Sequence, residues 1–211
     1  MAYHIYTTEA FILGADERGE ADRLLTIFTR DLGLVRAVAK GVRHAKSKLA
    51  PHLLNFSCSK VSMVRGKEVW RLTGAQPHEL SIQARKVNVS SDTNTSVSTK
   101  SELFGVYARI LNLVKRFIHF ESADPKLFDC IKECFVLAEK DQLLKNPEDF
   151  DAFEALLIMK IMHILGYVAQ NEKLSIFLAD GPITENTLLE AKKESRMIIQ
   201  IVNKALKESQ L

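Results

Sequence analysis

Between Asp31 and Glu68 the chain has no carboxylate, and within that interval the stretch "LVRAVAKGVRHAKSKL", residues 34–49, carries Arg36, Lys40, Arg43, Lys46 and Lys48 together with His44. Fixed cations at short spacing do one kind of chemistry well, which is to neutralise phosphates. Read as a strand with a side-chain period of two, the segment places Leu34, Arg36, Val38 and Lys40 on one face and Val35, Ala37 and Ala39 on the other. Arg36 and Lys40 are then about 13 Å apart at about 3.3 Å per residue, roughly two phosphate steps of an extended strand. Past Gly41, Arg43, Lys46 and Lys48 continue the positive path, with Ser47 and backbone N–H groups as further hydrogen-bond donors to phosphate oxygens. Arg23 and the pair Arg65 and Lys67 add to it from neighbouring segments. Aromatic residues for base stacking are scarce: Phe28, Phe56 and Trp70 are the candidates, and Trp70 is expected in the core. A solvated loop that serves only solubility is the competing interpretation, and the absence of interleaved acids argues against it. Binding through this strip should rest on phosphates and depend weakly on base sequence.

Other constellations fail on their chemistry. Cys130 and Cys134 are four apart on a predicted helix, so they could share a metal but not an unstrained disulfide. Zinc would need two more ligands, and no second Cys or His pair at ligand spacing is present. Buried structural thiols are expected, and His119 and His163 are expected at core or boundary positions. "GADERGEADR" offers Asp16, Glu17, Glu20 and Asp22, a loop that could suggest magnesium but is expected to be a solvated turn. Phosphate loops, nucleophile elbows and dinucleotide-binding glycines are absent. The residues predict neither an enzyme nor a bound metal or cofactor.

The elements that must position the strip come in two kinds. Residues 5–13, 24–29, 34–40, 53–64 and 68–75 are alternating or β-rich stretches of strand length. Gly33 and Gly66 stand where tight hairpins call for positive φ. Five short strands with a basic insert after the third suit an OB-fold barrel, which often binds nucleic acid across such a surface, with an SH3-like barrel as the rival. The polar, Ser- and Thr-rich stretch at 87–102 reads as a linker leading into a helix cap. Beyond it the period is helical. Leu103, Tyr107, Ile110, Val114 and Phe117 form one stripe; Asp124-Pro125 and Asn146-Pro147 start two further helices, the second running through Phe153, Leu157, Ile161 and Ile164 to Gly166. Thr187 with Glu190 suits a capping box for a last helix carrying Met197, Ile198, Val202 and Leu206. The expected class is α+β in two domains: a five-stranded OB barrel over 1–82, a linker over 83–96 and an all-α domain over 97–211.

Charge follows the same division. Residues 1–86 hold 14 Lys/Arg against 8 Asp/Glu, net +6, and the remainder holds 15 against 18, net −3, so polyanions should meet the first part. Three cysteines and no basic, apolar leader predict reduced thiols in a soluble, cytoplasmic protein. "ALLIMKIMHILGY" holds Lys160 and His163 and is too short to span a bilayer, so no membrane association is expected.

These residues together resemble RecO, the bacterial recombination mediator and DNA repair family. The segment "TEAFILGADERGEADRLLTIFTRDLGLVRAVAKGVRHAKSKLAPHLLNFSCSKVSMVRGKEVWRLTGAQ" is similar to the family's N-terminal OB domain over nearly its full length. "FEALLIMKIMHILGY" resembles its helix ending in Leu-Gly-Tyr, and "ESRMIIQIVNKALKESQL" its terminal segment. The resemblance implies a non-catalytic protein that binds single- and double-stranded DNA and anneals complementary strands. It also implies action with RecR to load RecA onto DNA coated by single-strand binding protein. The family's basic OB surface falls on Arg36, Lys40, Arg43, Lys46 and Lys48 here. A contact with the acidic tail of single-strand binding protein would lie in the helical domain, with Arg109, Lys115 and Arg116 as candidates. Many relatives carry a four-cysteine zinc element after the Leu-Gly-Tyr helix, whereas "VAQNEKLSIFLADGPITENTL" is short and has no cysteine, so zinc is not expected. An RNA-binding OB module and a protein-interaction adaptor are the alternatives.

Overall fold

The computed structural model describes residues 4–78, 94–118, 121–140 and 143–209. They form a closed five-stranded barrel followed by six α-helices, the OB-fold and helical arrangement expected. The chain divides into two compact units, Met1–Arg85 with Leu111–Pro125, and Lys86–Ile110 with Lys126–Leu211. Most of the linker expected over 83–96 lies outside the described residues, and the first helix begins at Asn94.

In the first unit β1 (Ile5–Arg18), β2 (Asp22–Thr29), β3 (Gly33–Ala39), β4 (Cys58–Arg65) and β5 (Trp70–Pro77) close in the order β1-β2-β3-β5-β4. β1 is long because it serves two neighbours, pairing with β4 from Ile5 to Phe11 and with β2 from Ala10 to Arg18. A register shift between Ile12 and Gly14 bends it from one to the other. β3 and β5 are parallel, and every other pairing is antiparallel. The inward residues are apolar and alternate as a half-buried strand requires: Val35, Ala37 and Ala39 of β3 meet Leu25 and Ile27 of β2 and Met63 of β4 in one core.

Turn chemistry departs from expectation at Gly66. Gly33 has φ +70°, as its hairpin requires, but Gly66 is not left-handed. Its need for glycine is steric, since a Cβ there would stand 2.3 Å from the Val69 carbonyl oxygen. The fourth strand also starts later than the apolar run suggests. Leu53 belongs to the connection, following a short 3₁₀ turn (Ala50–His52), and is buried in the barrel core together with Val42. These two apolar residues pin both ends of the basic segment that joins β3 to β4.

In the second unit the helices follow their caps. α1 (Asn94–Phe117) buries Leu103, Tyr107, Ile110, Val114 and Phe117, its part from Leu111 onward belonging to the barrel unit. α2 (Pro125–Lys140) and α3 (Pro147–Ile164) each begin on the expected proline. Asp149 secures the start of α3 by accepting from the N–H groups of Lys145 and Asn146. Gly166 at φ +85° ends it, with Gly166 N–H donating to the His163 carbonyl and Tyr167 N–H to that of Met162. After α4 (Ser175–Leu178) the single last helix expected is two, α5 (Glu185–Lys193) and α6 (Ser195–Glu208). The cap is Thr184, whose hydroxyl accepts from the Thr187 N–H, rather than Thr187 itself.

Candidate nucleic-acid interface

On the outer face of β3 the predicted alternation places Arg36 between Leu34 and Val38, with Lys40 just past the strand end. Leu34 and Val38 are buried, whereas Arg36 and Lys40 are exposed. The parallel partner β5 sets Arg71 in register with Val38. Arg71 is also exposed and points away from the core that takes Trp70 and Leu72. The β3–β5 seam thus carries cations from both of its strands.

Beside that seam the barrel has an open groove of about 1090 Å³. Arg18, Lys40, Arg65, Lys67 and Arg71 line it, against Asp22 and Glu68. Asp22 has a structural task, its Oδ1 accepting the Gly41 N–H at 2.8 Å where the chain turns at φ +63° out of β3. Spacing along the chain does not single out Arg18 or Arg71. Period-two alternation from Trp70 gives Arg71 its outward direction, but only the parallel pairing of non-consecutive strands brings it beside β3.

The remaining predicted cations separate by their surroundings. Arg43 is exposed but engaged: its guanidinium donates to the Gly19 carbonyl at 3.1 Å and pairs with Glu17 at 3.1 Å. The interval free of acids along the sequence is therefore not free of them in space, because the β1–β2 hairpin brings Glu17 to the strip. Lys46 and Lys48 are exposed on the connection, with no ion pair among the described residues. Arg23 has the parity of inward-facing Leu25 and Ile27, opposite Ala39 and Glu17, so it is not on the Arg36 face. Arg65 lies over the Trp70 ring, 5.2 Å from its centroid, and pairs with Glu121 at 2.9 Å. That hydrogen bond from Arg65 holds the Glu121 carboxyl below its ordinary value, and the Trp70 indole N–H adds to the effect.

Trp70 is a core residue, Phe28 is buried and Phe56 is half-buried at φ +61°, so none of the three offers an open stacking face. Among the partner candidates, Arg109 is already in a two-pronged ion pair with Glu154. Lys115 and Arg116 are exposed in the last turn of α1, within the barrel unit. His163 Nδ1 is within hydrogen-bond distance of the Val168 carbonyl, 2.7 Å, at a boundary position as expected. His119 lies outside the described residues. Cys134 is buried, whereas Cys130 is only partly so. Among the described residues no group of three or more His, Cys, Asp or Glu is placed to hold a metal ion, and no helix is long and apolar enough to cross a membrane.

Comparison with known proteins fits this geometry. Residues 1–80 match the family model described as "Recombination protein O N terminal". A "DNA repair protein RecO" of Dehalococcoides mccartyi (strain ATCC BAA-2266 / KCTC 15142 / 195) is 36% identical over 128 residues, covering 61% of this chain and 46% of its own. A protein of the same name from Alkaliphilus metalliredigens (strain QYMF) is 30% identical over 120 residues, covering 52% and 49%. The chain spans about half the length of these relatives. The residues matched by that family model, 1–80, are those that build the barrel and its basic groove, so the barrel is similar to the RecO N-terminal domain.

Proposed function

We propose that this protein is a DNA repair and recombination mediator that binds single- and double-stranded DNA across the barrel and brings complementary strands together. The observation that carries this reading is the groove with five cations against two carboxylates. It continues onto Arg36 and toward Lys46 and Lys48. A surface of this kind holds two backbones at once and lowers the repulsion between them, which is what annealing requires. Phe28, Phe56 and Trp70 give the bases no open stacking face, so this reading assigns binding to phosphates. The names of the relatives support repair as the setting. By the same reading RecR acts with this protein, RecA is loaded onto DNA coated by single-strand binding protein, and the segment 97–211 docks these partners through exposed cations such as Lys115 and Arg116.

The test is annealing of two complementary labelled oligonucleotides at moderate salt, with the wild type beside an Arg36→Ala/Lys40→Ala/Arg71→Ala variant. The wild type should accelerate pairing and the variant should lose most of that acceleration while keeping its circular dichroism. A wild type that binds RNA oligomers in preference, or that accelerates nothing, would overturn the reading. If about five phosphates are neutralised, log affinity for single strands should fall with log salt at a slope of roughly −3.5, from about −0.7 per contact.

A further inference from the structure

The DNA reading leaves the open end of the barrel beside the groove unassigned. Tyr6 of β1 shares the parity of the core residues Ala10 and Ile12 and stands opposite the buried Met63 of β4, so its ring lies on the inward side of the strand. It is nevertheless 37% exposed, where Ala10, Ile12 and Met63 have no exposed surface, because β1 begins at the barrel mouth. The ring is braced by its neighbours. It meets Trp70 edge to face, with 5.2 Å between centroids at 90°, and His4 in the same manner, at 4.5 Å and 75°. Trp70 in turn carries the Arg65 guanidinium over its ring, 5.2 Å from the centroid, and Glu121 accepts from both Arg65 and the Trp70 indole N–H. Arg65 and Trp70 also line the basic groove, so the mouth and the groove share a wall. Ile5 continues that wall: it is exposed and pairs with Val64, another lining residue, on whose far side stands Arg71.

We propose that Tyr6 is a base-stacking site for single-stranded DNA: an unpaired base leaves the groove at Arg65, turns over the barrel mouth and lies against the exposed surface of the Tyr6 ring, which His4 and Trp70 hold edge-on. The inference rests on the DNA reading and adds to it a contact that phosphates cannot supply. A tyrosine offers a large, rigid surface at little cost in rotamer freedom. Every base has a π-face, so the contact tolerates any sequence but requires that the base be unpaired. Bases inside a duplex are already stacked and do not reach it. The groove therefore holds both kinds of DNA, and the mouth favours single strands.

The experiment measures, by fluorescence anisotropy at one salt concentration, binding of the full chain to a thymidine oligomer, to an abasic oligomer of the same length and to a duplex. The wild type should bind the thymidine oligomer about tenfold more tightly than the abasic one if one base is stacked. Tyr6→Leu should bring these two affinities together within about twofold and leave duplex binding unchanged, while Tyr6→Trp should keep the preference. Irradiation of the wild type with a 5-iodouracil oligomer, followed by peptide fragment masses, should place the adduct on Tyr6 or His4. A wild type that binds both oligomers equally, or an adduct confined to other residues, overturns the stacking site. So does a Tyr6→Leu variant weakened on single strands and duplex alike, which would show a ring that only closes the barrel. A wild type that binds no oligonucleotide overturns the DNA reading itself, and the site with it. The abasic comparison and the adduct both use the wild type, so they decide the question even where Tyr6→Leu does not fold.

Discussion

Two carboxylates restrain two of the predicted DNA-binding cations, and each can be removed without touching the cation itself. The Arg65–Glu121 pair is exposed on both sides, so it contributes less than about 1 kcal/mol and a phosphate can displace it. Glu121→Gln is expected to tighten oligonucleotide binding a few-fold and to steepen the salt slope by about 0.7 if one more phosphate is engaged. Salt titration of binding by fluorescence anisotropy measures both. Asp149 sets a different dependence. Its carboxyl is held below the ordinary value by the Lys192 ammonium and by the Lys145 and Asn146 N–H groups, which together outweigh the raising effect of burial. Because the folded value lies below the unfolded one, this stabilisation is complete above the unfolded carboxyl value and is lost as pH falls through the folded value. Asp149→Asn should therefore flatten the acid limb of a stability–pH curve, measured by urea denaturation. At neutral pH it should cost about 1–3 kcal/mol through the donors left without their acceptor.

At the scale of elements, the basic connection between β3 and β4 is held by its apolar anchors more than by its charges. Leu53→Ala should cost about 2–5 kcal/mol in barrel stability, read as a lower urea midpoint, and should weaken DNA binding with Arg36, Lys40 and Lys48 all still present. Gly66→Ala should be destabilising as well, because its Cβ would meet the Val69 carbonyl, and thermal unfolding would report it. The barrel was largely legible because alternation in β3 and β5 sorts the two faces of each strand, with Val35, Ala37 and Ala39 inward and Arg36 outward, even though Leu34 and Val38 on the Arg36 face are buried as well. What alternation does not report is which strands meet. Arg71 joins the Arg36 face through a parallel pairing between non-consecutive strands, and Glu17 reaches Arg43 across a hairpin turned at Gly19, neither of which is local in sequence. Leu53 reads as strand from the sequence for a related reason. A residue buried from a loop has the same apolar signature as one buried from a strand. The helical starts at Pro125 and Pro147 were plain because proline at the first turn is a local signal, whereas the break between α5 and α6 at Glu194 carries no such residue.

At the scale of the whole molecule, the barrel segment is basic and the helical segment acidic, so salt should act on the two halves differently. Added salt should weaken oligonucleotide binding without moving the unfolding midpoint by a comparable free energy, since exposed charges contribute little to stability. The barrel itself is unevenly sewn. Its antiparallel ladders run through seven or more register pairs, while the parallel seam between β3 and β5 has two, Ala37 with Trp70 and Val38 with Arg71. Closure of the cylinder depends on this shortest seam, and the seam joins segments separated by more than thirty residues of chain. Amide protons there should exchange with solvent through small openings, faster than those of the β1–β2 ladder. A bound DNA backbone that spans Arg36 and Arg71 would tie the two strands together from outside. On the proposed function, nucleic acid would act as a sixth, borrowed fastening of the barrel, and protection gained at Trp70 and Arg71 on binding would be its signature.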